Sequence, residues 1–506
     1  MRKKIMVGIV MSMVSISTFA GGYLTNTNQN VRFLRNLARD GAIGIDGVYH
    51  NPAGVAFLND GFHLSLNIQN AHQTRTIHTG FPLFNFNANN PGKTEHRFKG
   101  VADAPVIPSI QLAYNKDKWS YQFGFAIVGG GGKCEFEDGL GSFESIVSGM
   151  IASKAPMVNG LYQKLGAAGI PGMADHKMGN GYAYDSYMRG RQYYYGFTFG
   201  AARKLNDNLS VYGGLRMLYG SANYYGYVKD IKVQHITGAN SEMVLAKEHF
   251  GELAKQLYGY AGKFEADGNS ALATALNAAA DQVAINALST EDIELNCDQT
   301  GWGVAPIIGI DYKAGKFNFG AKYEFKTRMR LKNKSANSES YKGLAASNEL
   351  LGKYLDGKKV AEDSPALLTV GAQYSPIKSL RLNLGYHHYF DVDTKQYRGS
   401  VVGDTNEYLF GAEYDINKIF QISAGGQLTR YDMTDDFMND ISFNVNSYSF
   451  GFGLGINLKE NIKLNLAYFQ TNYEDYDKKQ QVSGMELTNS FTRTNRVLGI
   501  GVDFTF

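Results

Sequence analysis

Residues Phe317 to Leu331 read FNFGAKYEFKTRMRL, and their alternation decides the fold class. One set of alternate positions is mostly apolar and holds Phe317, Phe319, Ala321, Tyr323, Phe325, Thr327, Met329 and Leu331. The positions between them carry Lys, Glu and Arg, and a period of two is typical of a β-strand. A strand face that carries so many charged residues cannot form the core of a water-soluble β-sandwich. We therefore expect the apolar face to contact lipid and the polar face to line a wet lumen.

The same alternation recurs along the chain after residue 60, in segments longer than most soluble strands. Fourteen such segments are predicted near residues 61–77, 98–115, 118–129, 187–204, 208–228, 300–313, 316–334, 365–376, 379–392, 404–416, 419–433, 441–458, 461–474 and 490–506. Short and long connections alternate strictly between them, as periplasmic turns and external loops do in outer-membrane barrels. The predicted fold is all-β, a fourteen-stranded antiparallel transmembrane β-barrel.

Composition excludes several other classes of protein. The 506 residues include Gly 58, Tyr 33 and Phe 30 but only Pro 10, which favours many strands over a helical enzyme. After residue 20 no apolar run is long enough for a membrane-spanning helix. A net charge of +3 gives no support for a nucleic-acid partner. Two cysteines, Cys134 and Cys297, are too few for a disulfide scaffold or a four-thiolate metal site, and whether they pair stays open.

The N-terminal 58 residues differ from the rest of the chain. Residues 1–20 combine a basic start, a short apolar stretch and Thr18-Phe19-Ala20, which predicts a secretory signal peptide cleaved after Ala20. Residues 21–58 lack sustained alternation and are too short for an independent domain, yet long enough to lie inside a wide barrel. Residues 59–506 are assigned to the barrel, with long external loops near 134–186 and 235–299.

The sequence resembles the FadL/TodX family of outer-membrane transporters for long-chain fatty acids and aromatic hydrocarbons. The resemblance rests on NPAG at residues 51–54, directly before the first strand, and on the hairpins from Thr300 to Asn333 and from Asp363 to Asp391. It implies that residues 21–58 form a hatch that plugs the lumen, with Asn51, Pro52, Ala53 and Gly54 as its motif. It also implies an inward bend in the third strand that opens the barrel wall.

Four consecutive glycines end the third predicted strand, namely Gly129, Gly130, Gly131 and Gly132. Glycine weakens strand pairing and marks bends, so these residues could form the wall opening. The alternative is a flexible start to a long loop. A phosphate-binding loop is rejected because Ile127 occupies the position of its first glycine and Cys134 that of its Ser or Thr.

Alternation also assigns a side to each cation. Five candidates for binding a carboxylate head group are predicted to face the lumen, namely Arg216, Lys322, Arg328, Arg330 and Arg381. Alternatively, such residues pair with luminal acids such as Glu324. Arg189 and Arg191 share a face with three aromatic residues and are expected at the outer rim, near lipopolysaccharide phosphates.

No metal or other cofactor is expected. His387 and His388 are consecutive strand residues, so their side chains point to opposite sides and cannot easily share one ion with Asp391. Helix-compatible stretches in the long loops include Ser270 to Leu288 and the series Phe250, Leu253, Leu257 and Tyr260. These helices could be an apolar landing surface for ligand or could merely cap the barrel.

The predicted protein is a monomeric, non-enzymatic importer of hydrophobic small molecules, foremost long-chain fatty acids, in the outer membrane of a Gram-negative bacterium. Its expected partners are the ligand, lipopolysaccharide, phospholipid and the barrel-insertion machinery, which would read the apolar last strand ending at Phe506. A general porin and an adhesin or structural barrel stay open as alternatives. A lipid hydrolase would need a Ser–His pair with an orienting group, and no convincing triad is present.

Overall fold

The computed structural model describes residues 25–346, 349–396 and 402–506. The predicted signal peptide, residues 1–20, and residues 21–24 of the predicted hatch lie outside these ranges. The described chain forms a closed barrel of fourteen antiparallel strands, as predicted. The barrel closes where the first strand pairs with the last, from His63 opposite Thr505 to Gly80 opposite Thr488.

The strands are numbered β1 to β18 in chain order. Two of them, β8 and β9, are halves of one interrupted barrel strand, and β6, β10 and β17 are short additions at the outer end. Their bounds are β1 Gly61–Gly80, β2 Glu95–Lys116, β3 Trp119–Phe136, β4 His176–Lys204, β5 Leu209–Thr237, β6 Asn240–Leu245, β7 Ile293–Ala314, β8 Phe317–Glu324, β9 Arg330–Ser335, β10 Lys359–Ala361, β11 Ala366–Ile377, β12 Leu380–Phe390, β13 Thr405–Asp415, β14 Phe420–Arg430, β15 Ser447–Lys459, β16 Ile462–Tyr473, β17 Tyr476–Val482 and β18 Met485–Thr505.

Helices occur at the N-terminus and in the long outer loops. They are α1 Val31–Arg35, α2 Gly141–Ala167, α3 Ala246–Ala266, α4 Ser270–Leu288, α5 Glu339–Ala345 and α6 Glu349–Gly352. Short 3-10 turns cover Ile45–Val48, Gly54–Phe57, Pro82–Phe86, Met173–Asp175 and Asp391–Asp393. The helices predicted in the long loops are confirmed as α3 and α4. Among the described helices, none is both long and apolar enough to cross a membrane.

The outside of the barrel is an apolar belt. Phe319 is 45% exposed and Trp302 is 69% exposed, whereas the neighbouring Asn318 is buried on the inside. Large apolar side chains are likewise exposed on the outer face of most other strands, including Leu384, Phe410, Phe452 and Ile500. Such a surface is stable only against lipid. The inside carries hydrogen-bonded polar residues, so the predicted inversion of a soluble protein is confirmed.

The predicted facing of residues 317–331 is right up to Phe325 and wrong beyond it. Met329 and Leu331 are buried on the inside, and Arg328 and Arg330 are exposed outside. The cause lies in the register with β7. Seven residues separate Thr300 from Ile307, whereas eight separate their partners, Glu324 and Lys332. The extra residue between β8 and β9 is a bulge, and it exchanges the two faces of the strand.

A helical cap closes the outer mouth. Apolar side chains of α2, α3 and α4 pack with the outer ends of the strands into one large hydrophobic cluster. Buried Glu144 anchors α2, because it accepts hydrogen bonds from Asn87 at 2.6 Å and Tyr182 at 2.8 Å and lies 2.8 Å from His96 Nδ1. The cap therefore has a core of its own above the lumen.

The N-terminal segment, residues 25–58, lies inside the barrel. Asn30 caps α1 through a hydrogen bond from Arg32 N, and the inner face of β15 carries glycine where α1 approaches. A side chain at Gly451 would clash with the Leu34 carbonyl oxygen, and one at Gly453 would press on the Arg35 side chain. These glycines, together with Gly455, occupy alternate positions on the inner face of β15 and make room for the segment.

Candidate functional site

Buried ion pairs fix the N-terminal segment to the barrel wall. Arg39 contacts Asp46 of the same segment at 2.7 Å and Glu413 of β13 at 3.0 Å. Arg35 lies 3.4 Å from the same Glu413, and Arg32 lies 2.7 Å from Asp503 of β18. All these carboxylates are almost fully buried, so each depends on its arginine for compensation.

The NPAG residues lie near the periplasmic ends of β2, β3, β5 and β7, close to the short turns. Asn51 donates to Asp311 Oδ2 at 2.5 Å and accepts from Gly54 N at 3.2 Å. The carbonyl oxygens of Pro52 and Ala53 accept hydrogen bonds from Gln122 and Ser210, respectively. The motif thus forms a tight turn whose buried backbone oxygens accept hydrogen bonds from inward-facing side chains of the wall.

The barrel wall is interrupted between β2 and β3. These strands pair at Ile110 with Phe125 and again at Val101 with Glu135, and the described ladder has no pair between those positions. On the β3 side, the free carbonyls bond to the N-terminal segment instead. Asn26 N donates to Val128 O at 2.9 Å, and Gln29 Nε2 donates to Ile127 O at 3.1 Å. We call this interruption the β2–β3 seam (residues 102–109 and 126–134).

The predicted glycine run forms part of this seam. Gly129, Gly130, Gly131 and Gly132 lie within β3 and not at the start of a loop. Gly130 and Gly132 have φ of +87° and +68°, and bulges flank Gly129 in the pairing with β4. A side chain at Gly130 would also clash with the carbonyl oxygen of Gln192. The backbone conformation of β3 therefore requires glycine at position 130.

Apolar residues line the lumen beside the seam. Val128 of β3 packs with Tyr49 of the N-terminal segment, Tyr194 of β4 and Leu218 of β5. Met329 and Leu331, which the bulge turns inward, complete this cluster together with Ala126. The β2–β3 seam thus lies beside an apolar patch inside the barrel, which alternation alone did not predict.

Three of the five predicted luminal cations do face inward, and each has a partner. Arg216 bonds to both carboxylate oxygens of Glu324 at 2.5 Å and lies over the Tyr49 ring. Lys322 donates to the Tyr49 carbonyl oxygen at 2.7 Å. Arg381, near the periplasmic end, binds Asp415 at 2.7 Å. These cations hold the wall and the N-terminal segment, which is the alternative that the sequence left open.

The other two predicted luminal cations are not in the lumen. Arg328 and Arg330 lie on the outer surface because of the bulge between β8 and β9. Arg330 contacts Asp363 at 2.6 Å. Neither can bind a ligand inside the barrel, so this part of the prediction was wrong.

A luminal cation that the prediction omitted is Arg75 of β1. It is buried, donates to the carbonyl oxygens of Phe443 and Ile441, and stacks on the Phe443 ring at 4.5 Å. Its Nε has no hydrogen-bond partner, and within the described ranges no carboxylate forms an ion pair with it. Arg493 of β18 lies directly opposite it. The alternation of β1 places Arg75 inside, so the sequence contained this signal.

The cap holds a pocket of about 510 Å³ on the outer side. Ile146, Met150 and Lys154 of α2, Leu288 of α4 and Leu344 of α5 are among the residues that line it. Lys154 donates to Asn286 at 2.8 Å, and burial lowers the pKa of its ammonium group to about 8. Glu291 and Glu339 also line the pocket, so it combines an apolar surface with one poorly solvated cation and two carboxylates.

The side chains of His387 and His388, which were considered as metal ligands, point to opposite sides of the wall, as expected. His387 points inward between Asp40 at 3.0 Å and Glu407 at 2.9 Å, whereas His388 bonds outside to Asn406. In the described part of the chain no group of three or more His, Cys, Asp or Glu residues is placed to hold a metal ion. Cys134 and Cys297 are both buried and unpaired, which answers the open question about a disulfide.

Solved structures share this architecture. A FadL homologue from Pseudomonas aeruginosa matches with a TM-score of 0.61 and 12% identity, over 96% of this chain and 100% of that one. The fold is that of the FadL transporters. The toluene transporter TodX of Pseudomonas putida matches with a TM-score of 0.51 and 13% identity, over 95% of this chain and 99% of that one.

No protein-family model and no curated protein matches the sequence. The FadL-type fold and the apolar belt make the protein an outer-membrane β-barrel.

Proposed function

We propose that the protein imports hydrophobic small molecules passively across the outer membrane and releases them sideways through the β2–β3 seam. The observation that carries this proposal is the seam itself. A closed ladder is the stable state of a barrel wall, because each unpaired backbone group in lipid costs several kcal/mol. Here the N-terminal segment takes the place of β2 as the hydrogen-bond partner of β3, so β2 and β3 are unpaired beside the apolar cluster of Val128, Leu218 and Met329.

The pocket in the cap is the first contact in this route. A hydrophobic molecule would leave water for the surface formed by Met150 and Leu288, close to Lys154. It would then enter the lumen and reach the seam. A general porin would instead keep an open aqueous lumen, and residues 25–58 occupy much of that space. The N-terminal segment is accordingly assigned the role of a plug.

Within this function, we assign amphipathic carboxylates, such as long-chain fatty acids, as the preferred substrates. Arg216, Lys322 and Arg381 are engaged, so they give the head group little to bind. Arg75 is the better partner, because among the residues that the structure describes its charge is compensated by carbonyl oxygens and a ring and by no carboxylate. A ligand carboxylate next to it would form a charge-assisted bond in a poorly hydrated site, whereas a hydrocarbon would gain nothing there.

Uptake by cells that express the chain tests the transport route. Gly130→Val should abolish most uptake of a labelled long-chain fatty acid, because its side chain cannot fit against Gln192. Gly213→Val is the matched control, since Gly213 has open space around it. Both variants must retain the resistance to unfolding in cold SDS that marks a folded barrel. Equal uptake by wild type and Gly130→Val would overturn the route.

Binding to purified protein tests the head group separately. The wild type should bind a long-chain fatty acid more tightly than the matching alcohol, and Arg75→Gln should remove most of that difference. Arg381→Gln, at the periplasmic end, is the control and should preserve it. If acid and alcohol bind alike in the wild type, the carboxylate preference fails, while transport of neutral hydrophobic molecules remains supported by the uptake result.

A further inference from the structure

A row of cations runs up the outer face of β9 and β10. Arg328, Arg330, Lys332 and Lys334 occupy alternate positions and are all exposed, and Lys359 of β10 lies beside them. At about 3.3 Å per residue, Arg328 and Lys334 are about 20 Å apart along the strand. We call these five residues the cationic strip. It exists because the bulge after β8 turns this face outward.

The strip contains an arrangement that folding alone does not explain. Lys332 lies directly opposite Lys359 in the antiparallel pair, and two like charges in that position destabilise a sheet. Within the described chain, neither lysine has a carboxylate within ion-pairing distance, and neither does Arg328. The nearby acids compensate only part of this charge, since Asp363 binds Arg330 and Asp298 lies directly opposite Lys334. The strip therefore has an excess of positive charge.

The position of the strip relative to the lipid belt is equally informative. Phe325 precedes it on the same strand and faces outward, and Trp302 on the adjacent β7 is exposed at the level where the apolar residues of that strand end. Aromatic residues of this kind mark the boundary of the hydrocarbon layer. The cations hence begin where the lipid head groups lie and continue outward from there.

We propose that the cationic strip binds the phosphate groups of lipid A, the phosphorylated glycolipid of the outer leaflet. Lys332 and Lys359 would share one phosphate, which relieves their mutual repulsion. The planar guanidinium group of Arg328 would donate further hydrogen bonds to the phosphate oxygens. The acyl chains of the same lipid would lie along the apolar belt below, against Phe325 and Trp302. This site is distinct from the proposed transport route and does not depend on it.

Native mass spectrometry of the purified full chain in detergent tests the proposal, with phosphorylated lipid A and its dephosphorylated form as probes. The wild type should retain the phosphorylated lipid about tenfold better or more. The double variant Lys332→Gln/Lys359→Gln should lose this preference. The control, Lys418→Gln/Lys459→Gln, changes two exposed lysines at periplasmic turns and should keep it.

Two results would overturn phosphate binding by the strip. One is equal retention of both forms of lipid A by the wild type. The other is an unchanged preference in the folded Lys332→Gln/Lys359→Gln variant. Equally strong retention of phosphatidylglycerol would show that the strip takes any anionic lipid, which contradicts the choice of lipid A. In lipid-free detergent the double variant should be as stable as the wild type or more so, whereas a structural role for the lysines predicts a loss.

Discussion

Replacing Arg39 by methionine should loosen the plug without unfolding the barrel. Arg39 is the centre of the ion network, since it contacts Asp46 at 2.7 Å and Glu413 at 3.0 Å, and all three side chains are buried. Methionine retains much of the volume but leaves two carboxylates with less positive charge. Removing one partner of a buried ion pair costs about 3–5 kcal/mol.

The lower end of that range applies here, because both carboxylates keep other partners. Asp46 retains Arg32 at 3.5 Å, and Glu413 retains Arg35 at 3.4 Å and Arg381 at 3.6 Å. A loss of about 3 kcal/mol raises the population of the undocked plug by about 100-fold. In planar bilayers the frequency of ion-conducting openings should therefore rise by about two orders of magnitude. Adding Asp46→Asn should reverse part of the effect, because it removes a buried carboxylate that has lost its Arg39 partner.

Arg430→Met provides the control. Arg430 forms an ion pair with Glu474 at 3.6 Å, but the two side chains are 44% and 52% exposed, so the pair contributes little. Its conductance should match that of the wild type. Identical conductance of Arg39→Met and wild type, with both barrels folded, would show that the buried network does not hold the plug.

Two further predictions concern the belt and the cap. Phe319→Arg should lower the free energy of unfolding in lipid bilayers by about 2–4 kcal/mol, whereas Arg328→Leu, beyond the bulge, should change it by less than about 1 kcal/mol; equal costs would contradict the assigned faces. In the cap, burial followed by the charges of His235 and His176 lowers the pKa of His249 to about 4 from its ordinary 6.5. A histidine with a lowered folded pKa stabilises the folded cap fully above pH 6.5, and this contribution falls as the pH drops towards 4. Between pH 7.5 and 5 the cap should lose about 1–2 kcal/mol, seen as faster hydrogen exchange in α3. His249→Gln should reduce this pH dependence, and the remainder comes from His235, whose pKa is also lowered by burial.

The number and position of the strands were predictable because each strand has a lipid side and a water side. At the periplasmic turns the predicted and observed bounds differ by a residue or two, for example 379–392 against Leu380–Phe390. At the outer ends many strands run further than predicted, as in β4, which begins at His176 and not near 187, whereas β15 begins later, at Ser447 and not near 441. Beyond the membrane the outer face of a strand contacts water and its inner face contacts the cap. The alternation of apolar and polar residues therefore ends before the backbone pairing does.

The candidate site was predictable only in part, for a related reason. Alternation gives the side of the wall on which a residue lies, and it correctly placed Arg216 and Lys322 inside. It does not show which partner a luminal cation meets, because Glu324 and the Tyr49 carbonyl come from other strands or from the N-terminal segment. Alternation also fails to predict the facing wherever one strand has an additional residue relative to its neighbour. Nothing in the amino-acid sequence from Phe325 to Met329 indicates that bulge.

That one additional residue links the two surfaces on which the proposals rest. Without it, Met329 and Leu331 would face lipid, and Arg328 and Arg330 would lie in the lumen beside Tyr49. Two more cations there would repel Arg216 and Lys322 and would hydrate the patch next to the β2–β3 seam. With it, the lumen gains two apolar side chains beside the proposed exit, and the outer surface gains cations at the proposed lipid A site. A sorting of charge that benefits both faces at once is a physical reason for the break between β8 and β9.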